Sequence, residues 1–87
     1  MPLKLADGTL FHPDFTFLHP QTRKEVYWEH FGMMGDSKYA DAATLKIMTY
    51  AKNGINQKDQ LIVSFETARV PIDYNWVNKL IKSYLLD

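Results

Sequence analysis

Two acidic side chains, in two neighbouring predicted strands, have the types and spacing that metal-assisted chemistry requires. Asp14 lies in the segment HPDF and Glu29 lies in the segment YWEHF. Because side chains alternate along a strand, we expect Asp14 on the face opposite Phe15, and Glu29 on the face opposite Trp28. If residues 19–24 form the turn of a hairpin, the two carboxylates lie on neighbouring strands and point the same way.

Two carboxylates held side by side repel each other unless a cation lies between them. Oxygen ligands of this kind suit Mg²⁺, completed by a backbone carbonyl and waters, and bound Mg²⁺ acidifies a water for attack on a phosphodiester. The alternative is that both acids are solvated residues on the outer face of a sheet. Each acid lies in a densely aromatic strand, where an uncompensated charge is costly, and this favours the metal-binding interpretation.

The strands that must position these acids are predicted from alternation. The segment TLFHPDFTFL, residues 9–18, follows the turn dipeptide Asp7-Gly8 and predicts a strand. One side of it is expected to carry Phe11, Phe15 and Phe17, and the other His12, Asp14 and Thr16. Pro13 cannot donate a ladder hydrogen bond, so this strand lies at an edge or is bulged there. The segment EVYWEHF, residues 25–31, predicts the second strand of an antiparallel hairpin.

Two helices and one more strand complete the predicted domain. Asp36 or Ser37 is expected to cap a helix that stops at Asn53-Gly54. The run LIVSF within residues 60–67 predicts a strand covered on both faces, and the crossover that precedes it predicts parallel pairing with a hairpin strand. The segment Pro71-Ile72-Asp73 opens a final helix, with Asp73 as its cap. The order strand, strand, helix, strand, helix predicts an α/β layered domain with a mixed sheet.

Each predicted helix has an apolar stripe at helical spacing, which is expected to be buried. In the first helix the stripe comprises Tyr39, Ala43, Ile47, Tyr50 and Ala51, and in the second it comprises Val77, Leu80, Ile81 and Tyr84. Lys46 projects along the edge of the first stripe. Its amine is therefore placed either to reach back toward the sheet or to extend into water.

Length and composition reduce the number of functional classes to which the protein can belong. The 87 residues correspond to one small domain, and the absence of cysteine removes disulfides and thiolate metal sites and fits a reducing environment. Ten basic residues balance ten acidic ones, so the overall charge gives no support to a dedicated non-specific nucleic-acid binder. The apolar runs are too short for a membrane span or a signal peptide, and we expect a soluble, cytoplasmic protein.

From Gly8 to about Leu86 the chain resembles the PD-(D/E)XK nuclease superfamily, and more narrowly the bacterial and phage-associated nuclease-like domains whose hairpin reads PDF and then YWEH-F/L-G. The matching motifs are Pro13-Asp14-Phe15 and Tyr27-Trp28-Glu29-His30-Phe31-Gly32, followed by Lys46, Tyr50, Asn53-Gly54-Ile55, Leu61-Ile62 and Phe65-Glu66-Thr67. The resemblance implies a restriction-endonuclease-like mixed sheet and coordination of Mg²⁺ or Mn²⁺ by Asp14 and Glu29. It also implies a lysine that polarises the attacking water or the phosphate.

The chain departs from the family pattern at that lysine, because the position two residues after the strand acid is Phe31. Lys46 is the favoured substitute, since some members of the superfamily carry the basic group on the helix. His30 is the second candidate, as a catalytic group or a further metal ligand, although alternation turns its ring to the other face unless a bulge at Glu29 reverses it. Otherwise His30 is a structural histidine hydrogen-bonded beside Trp28.

The start of the chain is a second departure. The family core normally opens with a helix and a strand before the PD-bearing strand, and the helix often supplies a further acid. Only eight residues precede the hairpin here. We therefore expect a single nuclease-like domain over residues 1–87, shortened at its N-terminal side. Its exposed edge favours a homodimer, or a partner that supplies the missing elements.

The resemblance implies a metal-dependent DNA endonuclease, in which Arg23 and Lys24 at the hairpin turn contact phosphates. One alternative is a catalytically inactive remnant of the nuclease fold that serves as a binding or oligomerisation module. The other is an unrelated α/β interaction domain, which gains support if the two acids lie on opposite faces of the sheet.

Overall fold

The computed structural model describes residues 2–57 and 59–85 and contains five strands and two helices in that part of the chain. The strands are β1 (Leu3–Lys4), β2 (Leu10–Phe11), β3 (Phe15–Leu18), β4 (Glu25–Phe31) and β5 (Leu61–Phe65), and the helices are α1 (Ser37–Lys52) and α2 (Tyr74–Leu85). Strands β1 and β2 form a small antiparallel pair, and β3, β4 and β5 form a three-stranded sheet in that order. No helix in residues 2–57 and 59–85 is long and apolar enough to cross a membrane.

The three-stranded sheet is mixed, as the sequence predicts. Strand β3 runs antiparallel to β4, and β4 runs parallel to β5. The hairpin closes through the main-chain bond from His19 N–H to the Lys24 carbonyl, at 2.8 Å, with Arg23 in the left-handed region at φ 63°. Parallel pairing of β5 requires a crossover, and α1 provides it. The predicted α/β class, the hairpin and the parallel strand are confirmed.

The predicted strand over residues 9–18 is two strands, interrupted at residues 12–14 around Pro13. The ring of Phe11 lies 4.9 Å from the ring of Tyr50 on α1. The rings of Phe15 and Phe17 lie 5.1 and 6.3 Å from that of Trp28, a neighbour of Phe15 in the sheet. The prediction that Phe11 shares a side with Phe15 and Phe17 is therefore wrong. The break at Pro13, which cannot donate to a ladder, resets the alternation between them.

Helix α1 covers one face of the sheet. Asp36 caps it by accepting the Tyr39 N–H at 3.0 Å. The helix ends at Lys52, with Asn53 as its C-cap and Gly54 following at φ 81°. Tyr50 is fully buried in a core cluster with Leu5, Tyr27 and Leu61. Ala51 is exposed, so its place in the predicted stripe is wrong: the helix turns about 100° between adjacent residues, and the burial of Tyr50 turns Ala51 outward.

Helix α2 lies against β5. Asp73 caps it as predicted, since Oδ1 accepts the N–H groups of Asn75 and Trp76 at 3.0 and 3.1 Å. Val77 is buried, and Leu80 and Ile81 are half-buried. The side chain of Tyr84, the last residue of the predicted stripe, lies outside the described residues.

The β1–β2 turn is tied to the end of α1 through Asp7. The Asp7 carboxylate accepts the Thr9 N–H at 2.9 Å and the Asn53 side-chain amide at 3.2 Å, and these bonds hold the pKa of this carboxyl below its usual value. A carboxyl whose pKa is lower in the folded state than in the unfolded state stabilises the fold above its unfolded pKa. That contribution is lost as the pH falls through the folded pKa.

We therefore expect Asp7→Asn to lower the free energy of unfolding at neutral pH, by an amount that shrinks as the pH falls below the ordinary carboxyl range. Urea denaturation between pH 7 and pH 2.5 measures the difference. Asp41→Asn, which changes an exposed carboxyl on α1, is the matched control and should show no comparable pH dependence. A constant difference at every pH for Asp7→Asn would contradict the assignment.

Candidate acid and lysine site

The register of the hairpin brings the two acids to the same place in the sheet. Phe15 pairs with Trp28, so Asp14, one residue before β3, comes opposite Glu29 on the side of the sheet that faces α1. We call this side, with the β4 side chains of Tyr27 and Glu29, the acid face. Asp14 is exposed, and its Oδ2 accepts the main-chain N–H of His30 at 2.7 Å.

Glu29 is buried, with 3% of its surface exposed, and its charge is compensated from α1. The Lys46 Nζ lies 2.8 Å from Oε2, and the Tyr50 hydroxyl donates to the same oxygen at 2.6 Å. The pKa of the Tyr50 phenol is raised by burial first, then by its bond to Glu29 and the charge of that carboxylate, with a smaller contribution from the charge of Asp14. Both carboxylates therefore act on the same hydroxyl group.

The Lys46 amine points into the site and not into bulk water. Its side chain is 27% exposed, and Nζ lies 5.0 Å from the centre of the Phe11 ring, within the range of a cation–π contact. The position where the family pattern has a lysine is occupied by Phe31, which is buried and stacks on Phe65. Lys46 is thus the cation that the structure places beside the acids.

The structure does not bring the His30 ring to the acids. Strand β4 keeps continuous register with β5 through Glu29 and His30, without a bulge, so successive side chains alternate. The ring nitrogens lie 2.7 Å from the Ser64 hydroxyl and 2.8 Å from the Glu66 carboxylate, on what we call the reverse face, which also carries Trp28. Only the main chain of His30 contributes to the acid face, through its N–H to Asp14.

Arg23 and Lys24 are exposed at the far end of the hairpin. Strand pairing ends there at Leu18, four residues beyond Asp14, which is about 13 Å along the strand. The structure does not bring these two cations to the acids.

Tyr50 is the site residue that sequence reasoning missed, because its spacing placed it in an apolar stripe. It follows Lys46 by four residues, and residues at this spacing share one face of a helix. One turn of α1 therefore presents an amine and a hydroxyl together to the same carboxylate. The signal available in the sequence was a lysine and a tyrosine at i and i+4 facing a strand with an internal acid.

The acid face offers two carboxylates to a metal ion. In residues 2–57 and 59–85, no group of three or more His, Cys, Asp or Glu side chains could hold a metal ion. Mg²⁺ is commonly held by one or two carboxylates, with waters and phosphate oxygens completing the shell. The contacts described above use Oε2 of Glu29 and Oδ2 of Asp14, which leaves one oxygen of each carboxylate for a cation.

The ion pair between Glu29 and Lys46 makes a stability prediction. Lys46→Met should lower the free energy of unfolding at neutral pH by on the order of 3 kcal/mol, because it leaves a buried carboxylate with only the Tyr50 hydroxyl. Adding Glu29→Gln should recover most of that loss, since no unpaired charge then remains. Urea denaturation of the two single variants and the double variant measures the coupling, and Lys38→Met on the exposed side of α1 is the control. A loss in the double variant equal to the sum of the two single-variant losses would show that the pair is not coupled.

Comparisons of the chain with protein-family models, with curated proteins and with solved structures gave no match. The geometry of the chain's own residues therefore carries the inference of function.

Proposed function

We propose that this protein is a Mg²⁺-dependent phosphodiesterase of the nuclease type, with a restriction-endonuclease-like fold. The observation that supports this most directly is the meeting of Asp14 and Glu29 on one face with the Lys46 amine 2.8 Å from Glu29. Two acids on one face, with a lysine in contact with one of them, are the groups that the resemblance to the PD-(D/E)XK superfamily requires. The lysine comes from α1 and not from β4, which fits the family members that carry it on the helix.

The free oxygens of Asp14 and Glu29 would hold the cation, Mg²⁺ or Mn²⁺. A backbone carbonyl completes the set in this proposal, and His30 is the best placed to provide it. The N–H of His30 points to Asp14, and the N–H and C=O of one strand residue point to the same side. When bound, the ion would acidify a water and neutralise charge on the phosphate.

The chain's own groups have separate roles in this proposal. Asp14 and Glu29 would bind the cation. Tyr50 would fix the orientation of the Glu29 carboxylate by donating to Oε2. Lys46 supplies a positive charge at the acid face that can stabilise the additional negative charge on a phosphate oxygen as the bond to water forms. The apolar rings of Phe11 and Phe31 lie beside the Lys46 side chain. Because they lower the local polarity, they strengthen the attraction between the amine and a negatively charged phosphate oxygen.

DNA is the proposed substrate. Arg23 and Lys24 would contact phosphates about 13 Å along the strand direction from the acids. A homodimer is also part of the proposal, because the edge strand β3 exposes Phe15 and Leu18 at 54% and 55%. A cytoplasmic location is proposed on the absence of cysteine alone.

One observation favours an alternative function, a catalytically inactive nuclease fold that serves as a binding or oligomerisation module. Lys46 and Tyr50 by themselves compensate the buried charge of Glu29. An ion pair with an added hydrogen bond satisfies a buried carboxylate by itself. Binding of a divalent ion by the wild-type protein separates the two functions.

Asp14→Asn is expected to abolish both DNA cleavage and Mn²⁺ binding while leaving the fold intact, because the amide oxygen of Asn can still accept the His30 N–H. Mn²⁺ binding is measured by isothermal titration calorimetry, and cleavage by nicking of a supercoiled plasmid. Asp41→Asn is the matched control and should behave as the wild type. Undiminished cleavage by Asp14→Asn would refute the proposed role, and a wild-type protein that neither binds Mn²⁺ nor cleaves DNA would support the inactive module.

Lys46→Met is expected to reduce turnover of DNA at least about 100-fold while preserving or tightening Mn²⁺ binding, since the amine no longer competes for the charge of Glu29. Single-turnover cleavage is measured at a temperature at which circular dichroism shows the variant to be folded. Lys38→Met is again the control. Full turnover in Lys46→Met would remove the lysine from the mechanism.

A further inference from the structure

A chain of hydrogen bonds on the reverse face joins Trp28, Ser64, His30 and Glu66. The Trp28 indole N–H donates to the Ser64 hydroxyl oxygen at 2.9 Å, and the same oxygen lies 2.7 Å from His30 Nδ1. His30 Nε2 lies 2.8 Å from Glu66 Oε1. Ser64 is buried, whereas His30 and Glu66 are 25% and 31% exposed in their side chains.

For a neutral His30 ring, the chemistry of the groups fixes the direction of these hydrogen bonds. An indole N–H can only donate, so the Ser64 oxygen accepts from Trp28 and its own hydrogen is free for His30 Nδ1. In a neutral ring the proton is then on Nε2, which donates to Glu66. The pKa of the Glu66 carboxyl is lowered, first of all by this bond from His30. Every polar group in the chain is satisfied in this one arrangement.

The same residue, His30, holds Asp14 from the other side of the sheet. Asp14 lies just before β3, is exposed, and is anchored by the 2.7 Å bond from the His30 N–H to Oδ2. Both ring nitrogens of His30 are held, and the second oxygen of Glu66 accepts the N–H of Ile72 at 3.3 Å. The ring of His30 is therefore held by side chains from β5 and from the loop before α2, in a strand whose main chain is already paired with β5.

We propose that Ser64 and Glu66 are positioning residues for the acid face: they fix His30 from the reverse face, so that its main-chain N–H holds the Asp14 carboxylate in the orientation that binds a cation. The cation-binding part of this inference rests on the proposed function. The orientation of Asp14 by His30 does not, because it is a coupling between two residues of the folded chain. Residues that orient a metal ligand typically change metal affinity about 10- to 100-fold when they are removed.

The decisive variants are Glu66→Ala, which removes the acceptor for His30 Nε2, and Glu66→Gln, which keeps one. Glu66→Ala is expected to weaken Mn²⁺ binding about 10-fold or more in calorimetry, and Glu66→Gln to restore it to near the wild-type value. Ser64→Ala should weaken it likewise. Val77→Ala, a core truncation in α2 on the same layer, controls for general loss of stability and should leave Mn²⁺ affinity unchanged.

A second measurement follows the coupling without any metal. In ¹H–¹⁵N spectra, the His30 amide resonance of the otherwise wild-type protein is expected to move when Asp14 is changed to Asn, because that amide donates to the carboxylate. In the Glu66→Ala background the movement should be much smaller, and in the Glu66→Gln and Val77→Ala backgrounds it should be retained. If Ser64→Ala does not fold, the Glu66 variants alone decide the matter.

The outcomes separate this inference from the proposed function. A wild-type protein that takes up no Mn²⁺ refutes the proposed function, and the amide measurement still decides whether the reverse face positions Asp14. Wild-type Mn²⁺ affinity in Glu66→Ala, or an Asp14-dependent His30 shift that persists fully in that background, overturns the inference. Loss in Glu66→Ala with no rescue by Glu66→Gln also overturns it, since the hydrogen bond is then not the cause.

Discussion

The buried carboxylate of Glu29 is the constraint on which the rest of the structure depends. A carboxylate in the interior is costly unless it is paired and hydrogen-bonded, and here both partners come from α1, one turn apart. A shift of the helix by one turn, about 5.4 Å, would remove both partners at once. The charge of Glu29 therefore fixes the position of α1 along β4. The packing of the Tyr50 ring against Leu5, Tyr27 and Leu61 fixes the distance between the helix and the sheet. Fold and site are specified by the same contacts.

Alternation along β4 divides two kinds of polar chemistry between the faces of one sheet. Glu29 meets charged and hydroxyl groups from α1 on the acid face, whereas Trp28 and His30 meet hydrogen-bonding groups of β5 on the reverse face. A one-residue slip of this strand would exchange the two sets and leave each without partners. The main chain of His30 is the point at which the two faces meet, because its N–H reaches Asp14 while its ring is held on the other side.

Local signals predicted most of the fold. The caps at Asp36 and Asp73, the stop at Gly54, the hairpin and the parallel strand all follow from short-range residue preferences, and the structure contains each of them. The missed features depend on pairing and packing that residue preferences do not specify. Strand β1 has two residues and exists because Leu3 pairs with Phe11 across the turn at Asp7-Gly8; the turn was predicted, but the pairing was not. Pro13 signalled an edge or a bulge, but its effect on the side to which Phe11 turns required knowledge of the β1–β2 pair.

The candidate site was predictable only in part, for a physical reason. Alternation and the hairpin turn suffice to bring Asp14 and Glu29 to one side, and the same rule places the His30 ring on the other. Periodicity cannot distinguish a tyrosine that packs as an apolar ring from one whose hydroxyl binds a buried acid, because both occupy the same stripe. Nor can it decide whether a lysine at the edge of a stripe extends into water. That depends on whether a buried charge lies within reach, as Glu29 does here.

In the proposed function, the charges at the acid face would also give a role to a lysine on the helix. Asp14 and Glu29 bring two formal negative charges and Lys46 brings one positive charge, so the three side chains together carry a single negative charge. A divalent cation added to them gives a site with one positive charge, which a phosphodiester with its single negative charge neutralises. Without the lysine, the two acids and the same cation would have no net charge, and the net electrostatic attraction for a phosphodiester would be weaker. Lys46 contacts Oε2 of Glu29, so in the proposed function a metal ion at the other carboxylate oxygen and this ion pair would involve different atoms of Glu29 and would be compatible with each other.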